Sequence, residues 1–264
     1  MVRREFEGGL LLITQTAHAW ISGQLALRWG NEAFYRPEPW EILTLTAGQH
    51  DNGWAEWELA PRILPDGRPV SFTEMALEEH FAIWQRSAER MQSTNLYAAL
   101  LISMHATDLF QRRLQADERG DTPEMQSRIR GFIEEQQRFQ ASLYPILADH
   151  PRYGPALAQE RLDVAFRLLQ IWDLLSLLML MGPLPTRRLE DVPAGPGERT
   201  TVQILPRDER TMVLEPYPFA EAPFVVRVDG RWLAQKSFGH NALFRRALEQ
   251  SQLLSLQFVI DRRS

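Results

Sequence analysis

Four histidines, at positions 18, 50, 80 and 105, follow one another at spacings of 32, 30 and 25 residues, each within a stretch whose apolar residues recur every three or four positions. Their settings, Thr16-Ala17-His18-Ala19-Trp20, Gln49-His50-Asp51, Glu79-His80-Phe81 and Ser103-Met104-His105-Ala106, place each imidazole on the inward side of a packed helix. One such histidine is ordinarily a hydrogen-bonded core residue. Four of them require a fold to satisfy several ring donors and acceptors away from water, at about 1 to 3 kcal/mol for each failure. Convergence on cations removes that cost, so the four positions constrain the architecture more than any other feature of the chain.

Residues 9 to 181 read as a succession of helices, over about Leu10 to Trp29, Trp40 to Glu56, Thr73 to Met91, Thr94 to Leu114, Pro123 to Ala148 and Pro155 to Met181. Between the second and third, the run from Leu59 to Pro69 holds three prolines and a glycine, which forbid helix and suit either a loop over a site or a plain connection. Pro183, Pro185, Pro193, Gly195, Pro196 and Gly197 then mark a linker. Beyond it, Thr201 to Leu205, Thr211 to Glu215, Phe224 to Val228 and Leu254 to Ile260 read as strands, Asp229-Gly230 as a hairpin turn and Asn241 to Gln250 as a helix. The expected architecture is mainly α: a helical domain over 1–182, a Pro/Gly-rich linker over 183–200, and a small antiparallel α+β appendage over 201–264 packed on the bundle.

Composition narrows the chemistry. Zero cysteines exclude disulfides, zinc ribbons, iron-sulfur clusters and thiol nucleophiles, leaving imidazole and carboxylate as the strong metal ligands. A formal net charge of -5 argues against nucleic acid as a partner. Lys236 is the only lysine, so arginine is the default partner for an anionic group. The run Gly9 to Ile13 is too short for an export signal. The apolar stretch Leu168 to Met181 carries Asp173 at its middle and suits a buried core helix better than a membrane span. A cytoplasmic protein is expected.

A carboxylate amid leucines, as Asp173 is in Leu169-Gln170-Ile171-Trp172-Asp173-Leu174-Leu175, needs a strong partner to stay charged. Its rival Asp163 lies on a more polar stretch of the same segment. A histidine, a His50-Asp51 doublet, two further single histidines and a late aspartate together resemble the HD superfamily, in the dinuclear form found in HD-GYP phosphodiesterases and HD-type di-iron oxygenases. The whole chain, with its Glu215-Pro216-Tyr217-Pro218-Phe219 segment, is also similar to an uncharacterised bacterial family, the domain of unknown function 3891. The HD resemblance implies an HD-like helical bundle with two divalent ions, iron, manganese or zinc. It puts His18, His50 and Asp173 on one, His80 and His105 on the other, with Asp51 bridging.

What the resemblance implies about activity is a phosphohydrolase acting on a small phosphorylated or nucleotide substrate, with water made acidic by the ions as nucleophile and Asp51 or a neighbouring carboxylate, Glu79 or Glu78, managing the proton. Many catalytic relatives follow the doublet with a lysine, whereas this chain continues Asn52-Gly53-Trp54. Arg28, Arg86 and Arg90 are candidates to replace that cation, and Trp54, with Trp20, Trp57 and Trp84, to wall a substrate pocket. The missing lysine and the tryptophans motivate a second expectation, a di-iron oxygenase with the same ligands. A third is a non-catalytic metal-binding sensor or scaffold.

Overall fold

The computed structural model describes residues 1–116, 120–195 and 197–263, so Pro196 of the expected linker and Ser264 at the end of the expected appendage lie outside the described residues. The chain opens on two strands, β1 (Val2–Phe6) and β2 (Gly9–Ile13), paired antiparallel with Phe6 opposite Gly9. The two residues between them, Glu7 and Gly8, both have positive φ, which is the geometry of a tight hairpin turn. Then come α1 (Gln15–Arg28), α2 (Trp40–Gln49), the short α3 (Ala55–Leu59), α4 (Leu77–Gln92), α5 (Leu96–Ala116), α6 (Pro123–Ala148) and α7 (Gln159–Met181). The rest is β3 (Arg187–Pro193), β4 (Arg199–Pro206), β5 (Thr211–Glu215), β6 (Phe224–Leu233), α8 (Asn241–Glu249) and β7 (Gln252–Arg262).

The seven strands form one sheet in the order β1-β2-β6-β7-β5-β4-β3, antiparallel except where β5 runs parallel to β7. This corrects the expected architecture: the chain is 52% helical with a curled, mixed, seven-stranded half-barrel, not a helical bundle carrying a small C-terminal appendage. The physical reason lies in Gly9 to Ile13. A short apolar run reads equally well as buried strand or helix, and here all five residues are buried, with Leu10 to Leu12 pairing Leu233 to Arg231 of β6. The first segments of the chain thereby enter the sheet beside segments more than two hundred residues later.

Asp229-Gly230 is not a turn; both residues continue β6, opposite Ser255 and Leu254 of β7. Gly230 serves close packing instead. A Cβ there would stand 2.8 Å from Leu11 Cδ1 and 3.0 Å from Ile13 Cγ1, so the glycine lets the β2 side chains press onto β6. The Pro/Gly-rich stretch contains β3, with a register shift between Leu189 and Val192.

Helices α1 and α7 lie against the sheet, and one continuous apolar core joins them to it: Leu11, Ile13, Ile21, Leu25, Trp172, Leu175, Val226 and Phe258 all belong to it. Helix α7 is the one described helix long and apolar enough to cross a membrane, and 67% of its most apolar window is packed inside this fold. A smaller cluster of Met1, Leu12, Leu233, Phe238 and Phe244 lies under α8. The Leu59 to Pro69 loop rests on that region, where Asn241 Oδ1 accepts from Ile63 N and Arg245 donates to Pro61 O. From there the chain runs into the turn Phe72–Glu74, whose capping box joins Ser71 and Glu74, and Arg3 of β1 holds Glu74 through two nitrogens at 2.9 and 3.1 Å. The sheet edge thus fixes the segment that closes one side of the site.

Candidate metal centre

Thr14 caps α1 by accepting from Ala17 N at 3.1 Å, and one turn into the helix His18 faces the interior. Its Nδ1 lies 2.6 Å from Ser176 Oγ, which donates to Asp173 O and accepts from Ser22 Oγ. His18 is thereby tied through Nδ1 to this hydroxyl pair, and Nε2 is the nitrogen it turns toward the carboxylates. His50 caps the C-terminus of α2 and is oriented in the same way: its Nδ1 is 2.9 Å from Ala47 O, an acceptor only, which leaves Nε2 as the basic nitrogen.

The chain leaves the helix at this point. Asp51 has φ -99 and ψ 19, and its carboxylate folds back so that Oδ2 stands 3.5 Å from His18 Nε2 and 3.6 Å from His50 Nε2. Asp173, one third of a turn past the buried Trp172 on α7, reaches the same point from the other side. Its Oδ1 is 3.0 Å from His18 Nε2 and 3.5 Å from His50 Nε2, and Oδ2 is 3.4 Å from His105 Nε2. Two buried triads result, His18/His50/Asp51 and His50/His105/Asp173, each with ligand atoms within 4.8 Å of one another. They share His50, and Asp173 joins His18 and His50 to His105, whereas the resemblance pairs His105 with His80.

The donor set fits a cation. Asp51 Oδ1 and His50 Nε2 are buried without a hydrogen-bond partner in the described structure, a costly arrangement that coordination relieves. Three imidazoles and two carboxylates with no thiolate suit borderline or hard divalent ions. Burial disfavours a charged imidazole at His50, but the carboxylates of Asp51 and Asp173 outweigh it and raise its pKa from 6.5 to about 9. Asp173 is held well below the usual carboxylate range: burial opposes ionisation, and His105, His18 and His50 overcome it.

A pH dependence follows. A raised histidine pKa contributes stability that is complete below 6.5 and lost as pH rises through about 9. Chelator-treated protein is therefore expected to melt at progressively lower temperature across that window. Protein saturated with divalent cation should be level or improve, since the cation replaces the proton whose loss weakens the metal-free form. Melting curves at pH 6, 7.5 and 9, with and without chelator, check this, and parallel profiles would contradict it.

The triads open onto a cavity of ≈ 160 Å³, walled on its apolar side by Trp54, Phe72, Trp84, Leu109, Phe110 and Leu177, with polar contributions from Gln15, Thr73 and Arg113. His80 stands in this cavity but outside both triads, with its ring 5.6 Å from Trp54, 5.5 Å from Phe110 and 6.4 Å from Trp84. Trp54 lines the cavity, while Trp20 is 60% exposed on α1 and Trp57 packs in the cluster under α8.

The other expected site residues are placed elsewhere. Glu79 and Glu78 pair with Arg62 and Arg128 and do not line the cavity. Arg28 faces Glu221 and the ring of Phe224. Arg90 donates to Asn52 O at 2.8 Å and pairs with Glu56, and Arg86 approaches Gly53 O at 3.4 Å. These two arginines brace the turn that carries the His50-Asp51 doublet. Asp163 accepts from Gln159 at the surface. Sequence reasoning missed Gln15, Phe72, Thr73, Leu109, Phe110, Arg113 and Leu177. The signal for two of these was present, since Leu109 and Arg113 follow His105 at four-residue steps along α5.

A family model described as "Protein of unknown function (DUF3891)" matches residues 1–235. No curated protein and no solved structure matches the chain.

Proposed function

We propose, for a chain that belongs to the DUF3891 family of proteins of unknown function, a metal-dependent hydrolase of the HD type that cleaves an ester of a small phosphorylated substrate in the cavity beside His18, His50, Asp51, His105 and Asp173. One observation carries this reading. Tied Nδ1 atoms turn Nε2 of His18 and His50 toward two carboxylates, one of whose oxygens is buried without a partner, at the floor of an accessible cavity, and a cation there would take the place of the ring proton.

One ion is proposed, where the resemblance implies two. His50 has a single nitrogen free of the backbone, and that nitrogen belongs to both triads, so filling one removes it from the other. Iron, manganese and zinc all suit the donors. A divalent ion there supplies Lewis acidity, lowering the pKa of water and polarising a phosphoryl oxygen. The chain's own part is placement: Asp51 Oδ1 has acceptor capacity for a proton from the attacking water, and the aromatic wall excludes bulk solvent.

A phosphomonoester and phosphodiester panel, run with zinc, manganese and iron(II) against chelated protein, tests the proposal. Hydrolysis that requires the cation and falls at least ~100-fold in His50→Ala and Asp51→Ala is expected, by analogy with the losses seen on removing an activating group. Full activity in either variant would exclude this site.

A second reading, an iron oxygenase using the same ligands, is favoured by one observation: Arg28, Arg86 and Arg90 all engage protein partners away from the cavity, leaving no cluster of cations to cradle phosphate among the described residues. Iron content together with substrate-dependent oxygen uptake separates the two.

A further inference from the structure

Arg113 is the one guanidinium or ammonium group on the cavity wall among the described residues. It is largely buried, and Asp121 grips it from behind with a two-point fork: Nε donates to Oδ2 at 2.7 Å and Nη2 to Oδ1 at 2.6 Å. A fork of this kind fixes the plane of the guanidinium and leaves its Nη1 edge outside the pair. Arg113 also stands on the same helix as His105, two steps of four residues further on, with Leu109 between them and all three on the cavity wall. Eight residues of α-helix advance about 12 Å. The cavity therefore has a cation-binding end at His105 and a fixed donor end at Arg113, joined by an apolar floor of Leu109 and Phe110 and faced by Phe72 and Trp84.

We infer that Arg113 is the specificity-determining residue of this site and that the substrate is a short, flat, largely apolar molecule with a carboxylate-like monoanion at the end opposite the reacting group. The three features select one another. A cavity this small and aromatic accommodates one ring rather than a nucleotide with its sugar. The fork leaves an Nη1/Nη2 edge whose two directed N–H groups match the two oxygens of a carboxylate, and a charge already shared with Asp121 compensates a dianion less well than a monoanion. The inference rests on the proposed metal site only for the opposite end of the substrate.

The test is calorimetric titration of the full chain, zinc-loaded, with phenylphosphonate and with 4-carboxyphenylphosphonate, two non-hydrolysable probes that differ only in the distal anion. The parent chain is expected to prefer the carboxylated probe about tenfold or more, as for a hydrogen bond to a charged group. That ratio should fall close to one in Arg113→Gln, be partly kept in Arg113→Lys, and increase in Asp121→Asn, where the guanidinium loses its counter-charge. Arg113→Gln removes the two-point partner of the Asp121 carboxylate, so the doubly substituted Arg113→Gln/Asp121→Asn, a neutral hydrogen-bonding pair, serves as the folded control and should also lose the preference. Equal binding of the two probes by the parent chain, no binding of either, or a preference that survives Arg113→Gln overturns the assignment. If chelated protein binds both phosphonates as tightly as the zinc form while the Arg113 dependence persists, the metal reading fails and the role of Arg113 stands.

Discussion

Asp173→Ala protein is expected to lose at least ~100-fold in divalent-cation affinity, since removal of a group that merely orients a ligand already costs 10–100-fold, and to show no rise in melting temperature on adding the cation. Both oxygens of this carboxylate are engaged, Oδ1 with His18 and His50 and Oδ2 with His105, so among the described residues no other carboxylate reaches as many of the clustered imidazoles. The cation-free protein should suffer as well. Breaking a buried ion pair by deleting one partner costs about 3–5 kcal/mol, and with 13% of the Asp173 side chain exposed little of that is screened by solvent. The deficit has a sign in pH. It is largest at pH 6, where His50 is charged and left with Asp51 alone, and shrinks as pH rises through about 9 and the imidazole loses its proton. Asp163→Ala on the same helix is the control: its carboxylate meets only Gln159 at the surface, so stability should change by no more than about 0.5 kcal/mol and cation binding not at all. Equilibrium dialysis with elemental analysis and melting at three pH values measure both effects. An Asp173→Ala chain that binds cation as the parent does would place the metal elsewhere.

The convergence behind that expectation was legible because burial of an ionisable group is expensive enough to leave a mark in sequence. His18, His105 and Asp173 each sit among apolar neighbours, where no solvated helix face accounts for them, and His50 is marked by its aspartate neighbour in the doublet. His80 bears the same mark but stands beside both triads, with its ring against Trp54, Phe110 and Trp84, and a helical apolar setting does not tell a place in a triad from one next to it. The arginines were opaque for the opposite cause. Arg86 and Arg90 read as a polar helix face, and only the tertiary approach of α4 to the turn at Asn52 and Gly53 gives them carbonyl partners. The sheet was the least legible element. Helices α6 and α7 carry their periodicity and stop signals locally, whereas the strand character of Gly9 to Ile13 depends on β6, which lies more than two hundred residues away. Pairing at that separation leaves no local pattern beyond a short apolar run.

The second large effect is expected at Gly53, and it connects the fold to the chemistry. Gly53→Ala should destabilise the chain by about 3 kcal/mol, the upper end of the usual overpacking range, which for a chain of this size lowers the melting temperature by roughly 6–12 °C. The new Cβ would lie 2.2 Å from Ile83 O, 2.5 Å from Ser87 Oγ and 2.7 Å from Ser87 N. Two of those three atoms belong to the backbone of α4 and cannot swing aside, so the turn itself must retreat. It is held where it is by Gly53 N donating to Ser87 Oγ at 2.9 Å and by Arg90 on Asn52 O, and it begins at Asp51. A retreat of even half an ångström therefore draws the doublet carboxylate away from His18, and cation affinity should weaken along with stability, although residue 53 touches no ligand atom. Gly131→Ala in α6 separates this from a general response to added bulk. Nothing lies within 4 Å of a Cβ at that position, so the gain in helix propensity should stabilise by about 0.5–1 kcal/mol and leave cation binding unchanged. Melting and cation titration of the two alanine variants side by side decide the matter: comparable stabilities would mean that the doublet is not positioned by the close approach of the Gly53 turn to α4.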